Sequence, residues 1–258
     1  MQDKTFSTLF IARNLIQLSA VDSTNNYLKQ MVSKSEPLAE GTVIMADDQF
    51  AGRGQQENTW HSQSGLNLTF SIYLRPHFLP VEHQFKLNMA VSIGVITALK
   101  DYLNAGLKIK WPNDLYYNNR KLGGILIENT ISSGSIKSSI IGIGLNVNQL
   151  DFESHLENKA CSLIQILHKQ VDLIALLGKI CHCIEVEYLN LRAAKPKDQQ
   201  SLYLENLYQF GEISSYKSKN TMFEGRISGV SEEGKLLVFH QGKAHSYGLK
   251  EIEFLDNN

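Results

Sequence analysis

Two short segments between residues 110 and 128 carry the side chains best suited to chemistry on anions. Residues 110–114 are Lys-Trp-Pro-Asn-Asp, and residues 121–128 are Lys-Leu-Gly-Gly-Ile-Leu-Ile-Glu. A lysine beside a glycine pair, close after an amide and a carboxylate, suits a site that holds two anionic groups together while one attacks the other. The alternative is a surface lysine at a turn, with glycines that ease strand packing.

Three further segments each have a ligand-binding and a purely structural interpretation. Gly-Arg-Gly at 52–54 lets backbone N–H groups approach a phosphate or carboxylate that Arg53 could bind, or it is a flexible turn with a solvated arginine. The glycines of Gly-Ile-Gly at 142–144 leave space on the strand, either for a ligand that Asn146 would bind or for the close packing of a neighbouring element. Ser-Thr-Asn at 23–25 caps a helix whose free N–H groups can also face an anion. The sequence contains neither a P-loop nor a complete dinucleotide-binding fingerprint.

Hydrophobic periodicity predicts the elements that position these side chains. A helix is expected after Ser23, and the apolar stripe along 85–103 predicts a longer one. The hairpin that turns at 118–119 should bring Lys121, Asn113 and Asp114 to one end of a sheet. The further predicted elements are strands at 41–46, 66–74 (half-buried), 108–111 and 139–147 (central), and a helix at 171–191.

After residue 210 the pattern changes to short strand-like pieces at 222–227, 236–239 and 245–249, separated by turns. About 50 residues of this kind indicate a small β-barrel appended to a larger domain.

Length and composition describe an ordinary globular protein of 258 residues, with 43% hydrophobic and 20% charged residues. The net charge of −1 gives no basis for bulk electrostatic binding to DNA or membrane. Neither a membrane-spanning run nor a secretory signal is recognisable, and three cysteines make no disulfide framework, so a cytoplasmic protein is expected. Cys181 and Cys183 would diverge on a helix, which favours helical cysteines over metal ligands.

In this order, the segments resemble those of biotin–protein ligases, the biotin–[acetyl-CoA-carboxylase] ligases. The matched pieces are 22–25, 49–54 with Trp60, 110–114 with 121–128, and 142–148, within a frame of roughly residues 15 to 150. The resemblance implies an α/β (α+β) fold with a mixed sheet flanked by helices, similar to class II aminoacyl-tRNA synthetases. It places this catalytic domain at 1–205 and a C-terminal SH3-like β-barrel at 206–258.

The implied reaction has two steps. Biotin's carboxylate attacks the α-phosphorus of ATP to give biotinyl-5′-adenylate and pyrophosphate, with Mg²⁺ sharing the phosphate charge. A specific lysine of a biotin carboxyl carrier protein then attacks the mixed anhydride and releases AMP.

The resemblance also assigns residues to roles. Lys121 would bridge the biotin carboxylate and the α-phosphate as the first catalytic candidate, joined by Arg53 and Asp114. Asp114 would also hold Mg²⁺, Asn146 would lie near the nucleotide, and Trp60 would support the loop rather than contact substrate. The residues expected to bind biotin or the adenylate are Ser23, Thr24, Asn25, Gln49, Arg53, Gly54, Gln55, Asn113, Lys121, Gly123 and Asn146.

The chain departs from the family in two places. Where many members carry further basic residues and a glycine, residues 55–58 here are Gln-Gln-Glu-Asn, so we expect a weaker hold on the adenylate. About 20 residues precede Ser23, too few for the DNA-binding domain of the repressor members, so a ligase without repressor function is expected.

Two alternatives remain beside this hypothesis. A lipoate– or octanoate–protein ligase shares the fold and the lysine, but its fatty chain needs no polar partners, unlike the ureido ring of biotin. A non-catalytic biotin-binding module is the other, and the presence of Lys121, Arg53 and Asp114 argues against it. A homodimer paired through sheet edges is compatible with the expected fold.

Overall fold

A seven-stranded mixed sheet forms the body of the protein. The structure is a computed structural model, and it describes residues 6–34, 37–55, 58–154, 156–194 and 199–255. The sheet order is β1-β2-β3-β7-β6-β5-β4, in which only the β1-β2 pair is parallel. The mixed α/β class is therefore confirmed. The strands are β1 (Leu15–Val21), β2 (Val43–Gln49), β3 (Leu68–Leu74), β4 (Leu107–Lys110), β5 (Asp114–Tyr117), β6 (Arg120–Ser132) and β7 (Ser135–Leu145).

The predicted hairpin is the β5–β6 pair, which turns where Asn118 has a φ of 52°. The other predicted strands of this sheet are present with ends shifted by a few residues, and β1 lies on an apolar run to which we assigned no element. The prediction that β3 is half-buried is wrong, because β3 pairs on both sides and every one of its residues is buried. Its polar positions find internal partners instead: Thr69 donates to the carbonyl of Ala46 at 2.8 Å.

The described ranges contain five α-helices. Helix α1 packs on β2, β3 and β7, whereas α2 lies on the opposite core face and packs against α4. A β-carbon on Gly94 would come within 2.7 Å of the Cα of Ile184, so α2 and α4 approach almost to backbone contact. Nearly the whole of α2 is buried, so its buried surface is wider than the single apolar stripe predicted from the sequence. The helices are α1 (Thr24–Ser33), α2 (Gln84–Leu99), α3 (Leu163–Leu167), α4 (Leu173–Arg192) and α5 (Gln199–Glu205).

Helix α4 carries Cys181 and Cys183, as predicted, and Cys181 is fully buried. Burial raises the pKa of the Cys181 thiol far above its usual range. Across the described parts of the chain, no helix has both the length and the apolar character needed to cross a membrane.

The C-terminal part is an open antiparallel sheet with the order β11-β10-β9-β8-β12. The predicted small β-barrel is therefore present as five antiparallel strands that do not close. Within the described residues, the two-residue β12 pairs only with β8, and β11 pairs only with β10. The boundary predicted at 205/206 falls between α5 and this sheet and stays a prediction. The strands are β8 (Ile213–Ser218), β9 (Thr221–Val230), β10 (Leu236–His240), β11 (Lys243–Tyr247) and β12 (Glu253–Phe254).

Candidate active site

A cleft of about 180 Å³ runs across the large sheet, from the start of α1 and the end of β2 to the β5–β6 hairpin. Glycines on β6 and β7 form its floor, and the loop that follows β2 forms one wall. The structure thus brings together most of the residues singled out from the sequence. Those that line the cleft are Ser23, Thr24, Asn25, Gln49, Arg53, Gly54, Gln55, Asn113, Asp114 and Lys121.

The end of the cleft beside α1 is built around the amide of Gln49. Its Oε1 accepts from the backbone N–H of Thr24 at 2.8 Å and from the Thr24 hydroxyl at 3.0 Å. Ser23 occupies the N-cap position, but its side chain makes no capping hydrogen bond, so Gln49 satisfies the helix terminus instead. Because Oε1 accepts both of these hydrogen bonds, the Nε2 donors are what Gln49 can offer to a ligand in the cleft that it lines.

Glu128 joins three cleft elements, although the sequence analysis gave it no role. Its carboxylate lies 2.7 Å from Nη2 of Arg53 and 2.5 Å from Nζ of Lys29, and it accepts from Nδ2 of Asn25 at 2.8 Å. Desolvation alone would raise the pKa of Glu128, but these hydrogen bonds from Lys29, Arg53 and Asn25 lower it below its ordinary value. Since Glu128 lies two positions beyond Leu126, which lines the cleft, strand alternation could have identified it.

Trp60 forms part of the cleft wall rather than only supporting the loop. A β-carbon on Gly144 would lie 2.5 Å from Cε2 of its ring, so the indole rests directly on the glycine backbone of β7. The indole Nε1 of Trp60 and the Nε of Arg53 are buried donors without a hydrogen-bond partner among the described residues. Buried donors of this kind usually have a partner, so a ligand with acceptor atoms would satisfy them.

At the other end of the cleft, Lys121 and Asp114 form an ion pair of 2.7 Å between Nζ and Oδ1. The backbone of Lys121 is also fixed, because it donates to the carbonyl of Lys159 at 2.7 Å and accepts from the N–H of Cys161 at 2.9 Å. Asn113 is buried and makes both side-chain and backbone hydrogen bonds with Ile125. This end therefore presents one ammonium group whose position is set by its neighbours.

Comparison with known proteins identifies the family. The model of the biotin/lipoate A/B protein ligase family matches residues 18–146. The chain belongs to this family. It is 31% identical to the bifunctional ligase/repressor BirA of Bacillus spizizenii over 251 residues, which cover 96% of this chain and 75% of the relative. It is 26% identical to the biotin–[acetyl-CoA-carboxylase] ligase of Mycobacterium tuberculosis over 186 residues, 70% of this chain and 67% of the relative.

A solved ligase has the same fold. The biotin protein ligase of Aquifex aeolicus in complex with biotin and ATP superposes with a TM-score of 0.78 at 28% identity, covering 93% of this chain and 98% of that one. The two resemblances that the sequence suggested, to the family and to its mixed α/β fold, are therefore confirmed.

Two predicted binding residues of this ligase lie outside the cleft lining. A β-carbon on Gly123 would point away, towards the carbonyl of Gly144 at 2.5 Å. A β-carbon on its neighbour Gly124, which lines the cleft, would lie 3.1 Å from Oδ1 of Asp114 on the paired strand. Asn146 is buried, and its Nδ2 donates to the carbonyl of Cys161 at 3.0 Å. Its predicted position near a nucleotide stays a prediction.

Of the altered loop, residues 56 and 57 lie outside the described residues, whereas Gln55 lines the cleft.

Proposed function

We propose that the protein is an ATP-dependent biotin–protein ligase. It activates biotin as biotinyl-5′-adenylate and transfers the biotinyl group to a lysine of a biotin carboxyl carrier protein. Support comes from relatives named biotin ligases and from the structure of an A. aeolicus ligase with biotin and ATP.

Two buried donors of the cleft that lack partners among the described residues carry this proposal. Arg53 Nε and Trp60 Nε1 need acceptors, and the ureido oxygen of biotin is one. The fatty chains of lipoate and octanoate have no polar atoms at that depth, so they would leave the donors buried and unsatisfied. One unsatisfied buried donor costs about 1–3 kcal/mol, which favours biotin over either acid.

At the Lys121 end, the biotin carboxylate and the α-phosphate would approach each other beside a single ammonium group. Lys121 would attract both anions and reduce the repulsion between them, and its fixed backbone would limit the reorganisation that the reaction requires. Asp114 holds the ammonium group through Oδ1. The rate gain would come mainly from charge stabilisation and from holding the two reactants in line.

The residues present also fit a Mg²⁺ ion that is shared with ATP. Among the described residues no three His, Cys, Asp or Glu side chains form a ligand cluster. Mg²⁺ commonly needs only one or two carboxylates in addition to substrate phosphates, and Asp114 at the cleft wall provides one. When bound, the ion would reduce the negative charge on the phosphates.

The test is biotin-dependent exchange of labelled pyrophosphate into ATP, with lipoate and octanoate as competing acids. We expect exchange with biotin only, abolished by Lys121→Ala and retained by Lys137→Ala, which removes an exposed lysine of β7. Exchange with lipoate would assign the protein to the other branch of the family. Failure of the folded wild-type protein to exchange with any acid would refute the proposal.

Four points stay predictions: the identity of the acceptor, the formation of a homodimer, a cytoplasmic location, and the lack of DNA or membrane partners. For the dimer, β5 pairs with β6 only up to Gly124, and within the described residues no strand covers the outer edge of β6 beyond it. An uncovered strand edge favours pairing with a second chain. Light scattering with and without biotin would measure the oligomeric state.

A further inference from the structure

We infer that the C-terminal sheet positions one wall of the cleft, with Trp111 as the positioning residue. The inference rests on the proposed function, since it concerns the activation step. The wall consists of Pro112, Asn113 and Asp114, which all line the cleft. The C-terminal element that reaches it is the turn at residues 231–235, between β9 and β10, which we call the junction turn.

The direct link is a hydrogen bond between the two parts of the chain. The indole Nε1 of Trp111 donates to the carbonyl of Gly234 at 2.9 Å, and the Trp111 side chain is 7% exposed. Because Trp111 immediately precedes the wall, a shift of the junction turn would move the backbone that carries Asn113 and Asp114. Trp111 belongs to the Lys-Trp-Pro-Asn-Asp segment, but it does not line the cleft.

The same turn is held against the wall from a second side. A β-carbon on Gly234 would lie 2.4 Å from the ring of Phe85, so the turn rests on that ring. Phe85 in turn meets the fully buried Tyr203 edge-on, with ring centroids 5.7 Å apart. The Tyr203 hydroxyl donates to the carbonyl of Pro112 at 3.1 Å. The wall is thus fixed by Trp111 on one side and by Tyr203 on the other.

Lys110, the residue before Trp111, makes a further attachment to the C-terminal sheet. Its Nζ lies 5.1 Å from the ring centroid of Phe254 on β12, and 4.7 and 5.8 Å from those of Tyr116 and Tyr208. An ammonium group within about 6 Å of an aromatic face is attracted to it. Two consecutive residues of the segment therefore bind the C-terminal sheet, while the next three face the cleft.

A second cavity, of about 290 Å³, lies at this junction and shares Gln55, Pro112 and Ile125 with the cleft. Its lining includes Trp111 and Gly234, so the C-terminal sheet contributes to a surface continuous with the cleft. The C-terminal sheet consequently acts on the end of the cleft that holds Lys121 and Asp114, and not on the Gln49 end.

Trp111→Phe tests this, because it removes the N–H donor and keeps an aromatic ring. We expect kcat for biotin-dependent pyrophosphate exchange to fall on the order of tenfold, since small displacements of positioning groups reduce rates steeply. The Kd for biotin without ATP should stay within about twofold of wild type, because the Gln49 end is unchanged. Ser228→Ala is the matched control: it deletes another side-chain bond to a carbonyl of the C-terminal sheet, 3.3 Å to Leu237, and should leave kcat unchanged.

Tyr203→Phe is a second variant, because it removes the other hydrogen bond to the wall. We expect it to lower kcat as well. In the double variant, the fold-decrease in kcat should be smaller than the product of the two single fold-decreases, since both residues act on one wall. Unchanged kcat in Trp111→Phe with a lowered unfolding midpoint, or fully multiplicative losses, would overturn the inference. Absent exchange in the wild-type protein would instead refute the proposed function.

Discussion

Replacing Glu128 with glutamine should weaken both the fold and the binding of biotin. The carboxylate has three donors at 2.5–2.8 Å, and its side chain is 21% exposed. The bond to Lys29, whose side chain is 45% exposed, contributes about 0–1 kcal/mol, because water screens such pairs. The bond from Asn25 contributes about 1 kcal/mol, and the ion pair with Arg53, whose side chain is 36% exposed, contributes up to about 1 kcal/mol. We therefore expect Glu128→Gln to lower the free energy of unfolding by about 2 kcal/mol.

The ligand should be affected because Glu128 orients two residues of the cleft. Without the carboxylate, the Arg53 guanidinium loses its ion-pair partner and the Asn25 amide keeps its bond from Ser71 but loses that acceptor for its Nδ2. In the variant, biotin has to order these side chains when it binds. A free-energy cost of about 1.4 kcal/mol for this ordering would raise the Kd for biotin about tenfold. Titration calorimetry with biotin and urea unfolding of the same samples measure the two effects separately.

The effect on stability should depend on pH in one direction. The folded-state pKa of Glu128 lies below the ordinary 4.5, so its contribution is fully present above pH 4.5 and is lost as the pH falls through the folded-state pKa. The glutamine variant does not titrate there, so the difference from wild type should shrink under acid conditions. Unfolding at neutral pH and at about pH 3.5 compares the two regimes.

Glu224→Gln is the control, because Glu224 is an exposed glutamate on β9, away from the cleft. If Glu128→Gln matches this control in both unfolding free energy and biotin affinity, the reasoning about the three donors is refuted. A stability difference of the same size at acid and neutral pH would refute the assignment to an ionised carboxylate.

Two further predictions concern the loop and the floor of the cleft. Gln55→Arg should slow the escape of biotinyl-adenylate, because it adds a positive charge where Gln55 lines the cleft; unchanged or faster release of trapped intermediate would contradict this. Gly144→Ala should raise the Kd for biotin at least about tenfold, because the new β-carbon would lie 2.5 Å from the Trp60 ring. Gly229→Ala, whose β-carbon would meet its nearest neighbour at 3.7 Å, should leave calorimetric biotin binding unchanged.

The ordered motifs predicted more of this protein than periodicity did. They indicated the family, and they singled out most of the side chains that line the cleft, because chemistry on anions restricts residue types at fixed spacing. Periodicity misjudged β3, where the polar residues Thr69 and Ser71 suggested a solvent face. Both are buried and hydrogen-bonded, and Ser71 donates to Asn25 at 2.6 Å. Alternating polarity cannot distinguish water from an internal partner.

Other features depend on contacts between residues far apart in the sequence. The role of Glu128 follows from Lys29 and Arg53, which lie 99 and 75 positions away along the chain. The bond from Trp111 to Gly234 spans 123 positions, so no local pattern could have predicted it. Gly123 and Gly124 were distinguishable in principle, since adjacent residues of a strand face opposite sides and only Gly124 lies in the cleft.

The backbone bonds that fix Lys121 have a consequence for folding. Their partners, Lys159 and Cys161, are reached only after the chain has run out along β6, back along β7 and through the following loop. Closing so long a segment is entropically unfavourable until the strands are paired, so the lysine is anchored only after this hairpin has formed. During refolding, adenylate formation should therefore recover only after β6 and β7 have paired, and activity would report that this hairpin is complete.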